Sequence, residues 1–204
     1  MADSNATEVT ICNQALQLLG ASTITSLTDG TPTANACTLI YEETRDALLR
    51  LYVWKFAIKR VQITENATAP TFGRNHAYDL PGDYLAPLAP YPELDVENLD
   101  WIREGRQILT NDTSPLDLRY IAQITEVEDM DVLFREALSA RMAVKLCESL
   151  TQSNSKLENV SAIYKGVIDE ARKMSAFEAV NPLPPLDSWI SARTSGYDNT
   201  KSWH

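Results

Sequence analysis

The sequence predicts a mainly α protein with a small β insert: a four-helix bundle-like core, an antiparallel β module set into it, and an extended C-terminal arm. Two changes of period carry this reading. Apolar residues recur every three to four positions before residue 56 and again from about residue 131, which is the spacing of a helix face. Between Phe56 and Glu126, Pro70, Pro81, Pro87, Pro90, Pro92 and Pro115 break any long helix, and short alternations take over. A third change follows Val180, where Pro182, Pro184 and Pro185 lead into a stretch of Ser, Thr, Asn and Gly. The expected division is therefore 1–55 and 127–179 for the helical bundle domain, 56–126 for the β-rich insert, and 180–204 for the arm.

Taken in order, the first helix starts after Thr7, whose hydroxyl can accept a free N–H of the first turn, and stops at Gly20. Val9, Ile11, Cys12, Ala15, Leu16 and Leu19 form its buried side. Residues 22–33 are rich in Ser, Thr, Asp, Gly and Pro and read as a loop. Residues 34–53 contain no Gly or Pro, and Ala36, Leu39, Ile40, Ala47, Leu48 and Leu51 are the expected apolar face of a second helix. Tyr41 and Arg45, four positions apart, are neighbours on it. Trp54 and Phe56 flank the helix exit beside Ala57 and read as a core plug. Their other use, as a stacking platform for nucleic acid served by Lys55, Lys59 and Arg60, needs a basic groove. The formal net charge of −10 disfavours a dedicated DNA binder.

Ile58, Val61 and Ile63 continue as an extended segment. Tyr78 and Leu80 make a short strand ended by a Pro81-Gly82 turn, and residues 101–103 and 107–109 form a hairpin around Glu104-Gly105-Arg106. Residues 116–124 are the longest strand, with Leu118, Tyr120, Ala122 and Ile124 on one face. A third helix begins at Asp131; its stripe of Leu133, Ala137, Ala140 and Val144 meets the charged Glu148 and drifts toward Cys147 and Leu150. The fourth, residues 155–175, has the cleaner stripe of Leu157, Val160, Tyr164, Val167, Ile168, Ala171 and Met174. Glu126, Glu128, Asp129 and Asp131 ahead of the third helix, and Arg172 and Lys173 closing the fourth, complement the helix dipoles.

Chemistry has little to work with. Cys12, Cys37 and Cys147 lie in helices with no CxxC spacing, as buried reduced thiols do. His76, read as a loop residue, and His204 are the two histidines, which leaves almost nothing for a Ser-His triad or a His-based metal site. Glu93, Asp95, Glu97 and Asp100 could imitate the paired carboxylates of a glycoside hydrolase, but carboxylates so dense on a loop are usually solvated. Catalytic residues, metal ligands and cofactors are all expected to be absent. No apolar run approaches the roughly 18 residues that span a bilayer, and residues 1–8 lack the regions of a signal peptide, so a cytoplasmic product is expected. In the arm, Trp189, Ile190, Tyr197 and Trp203 are expected to be anchors, docked in another chain or laid along their own domain.

Four segments stand in a recognisable order: NQALQLLGASTITSL from Asn13; Cys37, Tyr41, Arg45-Asp46 and Leu49; WKFAIKR from Trp54, with Phe56; and YDLPGDYL from Tyr78, with Leu80, Pro81 and Tyr84. In this the chain resembles the head-to-tail connector (adaptor) proteins of tailed bacteriophages, of the tail tubular protein A type. The resemblance covers the first 85 residues, and the later helices agree in layout. It implies a structural virion protein of the neck, assembled in the host cytoplasm as a dodecameric ring. Such a ring sits beneath the portal protein, continues the DNA channel without gripping DNA, and offers its far side to the tail tube or nozzle. In related adaptors the C-terminal segment reaches the portal, a role suited to Trp189, Ile190, Tyr197 and Trp203. Ring closure would gather the negative charge about one axis, giving an acidic or mixed channel. Two readings of other classes stand beside it: a virion-associated carbohydrate hydrolase using Glu93 or Asp95, and a monomeric assembly or binding module.

Overall fold

In the computed structural model, which describes residues 6–88 and 100–178, helix α1 (Glu8–Leu19) has the termini expected of it. The Thr10 amide donates to the Thr7 hydroxyl at 3.2 Å and the Thr7 amide to the Thr10 hydroxyl at 3.4 Å, so two otherwise free donors are satisfied reciprocally. Gly20 ends the helix in the left-handed region at φ 67°, where a side chain would be strained. The loop that follows is tied at both ends. Asp29 accepts from the Thr25 and Ser26 amides at 2.8 and 2.9 Å, and Thr31 caps α2 (Pro32–Leu51), whose first residue is the proline.

The buried face of α2 differs from the expected one. Ala34, Cys37, Tyr41, Thr44, Arg45, Leu48 and Leu49 are buried, whereas Leu39 is 81% and Leu51 49% exposed. The reason is that α2 packs on the third helix and on a sheet through a stripe containing two polar residues, which a count of apolar positions passes over. Arg45 is tolerated there because Asp46 lies 2.9 Å from its Nε and the Tyr41 ring lies beneath its guanidinium.

A one-turn 3-10 helix at Lys55–Ala57 leads into β1 (Ile58–Ile63). The remaining strands are β2 (His76–Asp79), β3 (Tyr84–Leu88), β4 (Trp101–Glu104), β5 (Gln107–Thr110) and β6 (Leu116–Ala122). They form two three-stranded antiparallel sheets, ordered β1-β6-β3 and β2-β5-β4, in place of the one small sheet expected. Strand β6 lies in the centre of its sheet, pairing Ile58 with Ile121 on one side and Tyr84 with Ala122 on the other. That position explains why it is the longest strand, with Leu118, Tyr120, Ile121 and Ala122 buried. Strand β3 was not expected; it carries Pro87, which an edge strand tolerates. His76 lies in β2 and not in a loop, with Nδ1 2.7 Å from Glu65. Strands β4 and β5 meet at Gly105-Arg106, where Gly105 has φ 58°.

Helices α3 (Val132–Thr151) and α4 (Asn154–Phe177) complete the fold, which thus combines four helices with two small antiparallel sheets. Helix α3 is the hub, packing against α1, α2 and α4. Being covered from three directions, it buries Phe134, Leu138, Met142 and Leu146 as well as Ala137, Ala140, Ala143 and Cys147, so no single stripe exists to be read. Of the acidic run, Asp131 is the cap, accepting from the Leu133 and Phe134 amides at 2.8 and 3.2 Å. Helix α4 extends past Ser175 to Phe177, so Arg172 falls short of the last turn; its guanidinium lies over the Tyr52 ring. Met174, expected inside, is 51% exposed because the buried line of α4 runs through Ile168, Ala171 and Ser175, and Met174 lies beside it. One apolar core runs from Ile11 and Leu16 through Trp54 and Phe134 to Tyr78 and Ile108, joining the helices to both sheets.

Candidate assembly surfaces

The residues that carry the recognisable order come together as the joint between helices and sheets. Trp54 is 1% exposed; its Nε1 donates to the Leu48 carbonyl at 2.9 Å and its ring meets Phe134 edge to face at 5.1 Å. Phe56 packs on the same Phe134 ring at 5.0 Å. This is the core plug, and a Trp so enclosed offers no stacking face to a nucleotide. Of the cations read as a basic groove, Lys59 is engaged with Asp83 at 2.7 Å.

Polar clamps fasten the joint. Asp46 receives Gln123 Nε2 at 2.7 Å on its second oxygen, tying α2 to the end of β6. Asp83, in the turn after Pro81, receives Lys59 Nζ from β1 and the Tyr120 hydroxyl from β6, the latter at 2.9 Å. Burial works against the Asp83 carboxylate, but the Lys59 and Tyr120 hydrogen bonds win and hold its pKa below the usual value of 3.8. The reciprocal effect pushes Tyr120 up to about 12, through burial first and the Asp83 hydrogen bond second. Tyr84 stacks on Tyr120 at 5.7 Å, and Arg103 of β4 lies 5.3 Å over the Tyr84 ring, which links the two sheets. Leu80 and Pro81 add backbone ties to the hairpin, the Leu80 amide donating to the Arg106 carbonyl and Arg106 Nη2 to the Pro81 carbonyl. Tyr78 is buried, its hydroxyl donating to the Asp112 carbonyl.

No family model matches the chain, and no curated protein matches it.

What the joint can do is hold shape. Cys37 is buried beside Cys12, whose thiol is pushed up by the hydrogen bond with Cys37 and by burial, while the same hydrogen bond draws the Cys37 thiol down. Among the described residues no three His, Cys, Asp or Glu side chains cluster as metal ligands would, and no helix is long and apolar enough to cross a membrane. Asp100 pairs with Arg74 and accepts from Asn111 at 3.0 Å. Glu93, Asp95 and Glu97 lie outside the described residues, as do Trp189, Ile190, Tyr197 and Trp203.

The surface shows what the joint supports. Leu39 projects from α2, while Met174 and Phe177, the latter 80% exposed, project from the end of α4. These are two apolar exposures of different shape on helices that each pack on α3. Sequence reasoning missed several structural polar residues. Asn13 behaves as a piece of backbone, donating from Nδ2 to the Ile24 carbonyl at 2.9 Å and accepting the Ile24 amide at 2.8 Å. Asn13 is one of three amide side chains on α1, with Gln14 and Gln17, so its type alone did not single it out. Asp83 and Gln123 gave no signal, since their partners are distant in sequence.

Proposed function

We propose that the chain is a structural subunit of a bacteriophage neck, closing into a ring between portal and tail and continuing the channel through which DNA leaves. In this reading the helices form a bundle-like body, the strands an insert mounted on it, and residues 180–204 an arm that grips the portal through Trp189, Ile190, Tyr197 and Trp203. The observation that carries it is the pair of unlike apolar exposures, Leu39 on α2 and Met174 with Phe177 on α4. A ring of identical subunits needs a heterologous contact, two different surfaces on each copy, and separate apolar exposures on α2 and α4 support one. The motif residues support the reading in a second way, because they build the joint between helices and sheets. The charge of −10 supports a channel that lets phosphate slide instead of holding it by counterion release.

Mixing variants tests the contact. Leu39→Asp and Phe177→Asp should each abolish rings in electron micrographs, while an equimolar mixture should restore one good contact and yield dimers without rings. Rings from either variant alone, or no annulus of these subunits at the portal vertex of intact particles, would refute the proposal. Removal of residues 180–204 should abolish portal binding and leave the rest folded. Tight duplex binding at ~0.15 M salt counts against the sliding channel.

A further inference from the structure

Between α1 and α4, on a floor made by α3, lies an open groove of about 720 Å³. Helix α1 runs parallel to α3, because its terminal Leu19 carbonyl accepts Lys156 Nζ from the start of α4, and α4 turns back along α3 after Gln152. Ile11 and Leu18 of α1, Ala140 of α3, and Ile163 and Val167 of α4 give the groove its apolar lining. At its open end Val132 is 61% exposed. Along α4, Ile163, Val167, Met174 and Phe177 recur at helical spacing, so the exposed pair continues the groove wall to the end of the helix. Two charged residues line the groove, Arg135 and Glu136, and among the described residues neither is in a salt bridge, so Arg135 has no carboxylate partner there.

We propose that this groove holds residues 183–190 of the same chain, Leu-Pro-Pro-Leu-Asp-Ser-Trp-Ile, in the unassembled protomer. Reach permits it. Helix α4 runs back along α3 and has 24 residues against 20, so the described chain leaves it at Glu178, toward the end of the groove where Val132 stands. Eight extended residues span about 27 Å, enough to follow the groove past the ~12 Å between Val132 and Ala140. Composition fits as well. Two successive prolines favour extended backbone, which lowers the cost of ordering such a sequence. Leu186, Trp189 and Ile190 match the apolar lining, and Asp187 supplies the carboxylate that Arg135 lacks. A tether of this length holds the segment at an effective concentration of about millimolar, far above that of a second copy in dilute solution. The inference is independent of ring formation, since it concerns the single protomer.

The test uses the full chain carrying Gln14→Cys and Ser188→Cys under mild oxidation with oxidised glutathione. Gln14 lines the groove and is exposed, and the native thiols are buried and do not compete. An intramolecular disulfide is expected, formed at least about ten-fold faster than with Glu42→Cys and Ser188→Cys, since α2 lines no part of the groove. Adding Arg135→Glu should slow the reaction, and Asp187→Arg on top of it should restore the rate. Equal rates at the two positions, a disulfide-linked dimer in place of the closed monomer, or no rescue by the charge swap would overturn the proposal. Each of these results leaves the ring tests above unaffected.

Discussion

Helix α3 and strand β6 hold the same place in their own layers, each the middle element with a neighbour on either side, yet their sequences look quite different. Strand β6 keeps one face partly open, with Asp117 exposed and Arg119 half-buried between Leu118 and Tyr120. Its alternation survives as far as Tyr120 and can be read there, before Ile121 and Ala122 are both buried. Helix α3 is wrapped by three helices, and its apolar residues spread round the cylinder. The pattern of an element therefore records how many sides of it are covered, and the most central element is the least periodic. The two also differ in what secures them: α3 is held by close packing, β6 by packing together with the polar clamp on Asp83.

That contrast can be broken first at Phe134, where α3 meets Trp54 and Phe56. Phe134→Ala should cost about 3–5 kcal/mol in chemical denaturation, the largest single loss expected here. A loss under about 1 kcal/mol would mean that α3 is not the hub. Asn13→Ala removes both bonds to Ile24 and should cost about 2 kcal/mol, with faster amide exchange at Ile24 as the local sign.

The clamp on β6 should show itself through pH. Because the folded Asp83 carboxyl titrates below its ordinary value, its contribution is complete above about pH 4 and fades as pH falls through the folded value. Tyr120 is raised from 10.0 to about 12, so its contribution is present below pH 10 and fades as pH climbs toward 12. Asp83→Asn should cost about 1–2 kcal/mol at neutral pH and flatten the acid limb of the stability profile. Tyr120→Phe should flatten the alkaline limb, and an unchanged limb in either variant would contradict the clamp. The smallest effect is expected at Tyr41→Phe. The Tyr41 hydroxyl is buried with no hydrogen-bond partner among the described residues, so its removal should be neutral or stabilising by up to about 1 kcal/mol.

Local signals were legible. Thr7, Gly20 and Asp131 mark helix ends because capping is decided within a turn, and Gly105 marks its hairpin for the same reason. The face of α2 was not, because Leu39 and Leu51 are apolar without being buried, while Thr44 and Arg45 are buried without being apolar. Strand β3 was hidden by Pro87 and by its edge position. Of the candidate site, Trp54 and Phe56 could be read as a core plug, but the partnership of Asp83 with Tyr120 spans 37 residues, and no spacing rule reaches that far. The exposure of Leu39, Met174 and Phe177 emerged only once it was known which apolar residues the core had left outside.

Cys12, Cys37 and Cys147 are all buried, on α1, α2 and α3. A water-borne alkylating reagent can therefore reach any one of them only when the helices part. Its rate of uptake serves as a built-in clock for opening of the domain, with no label needing to be introduced.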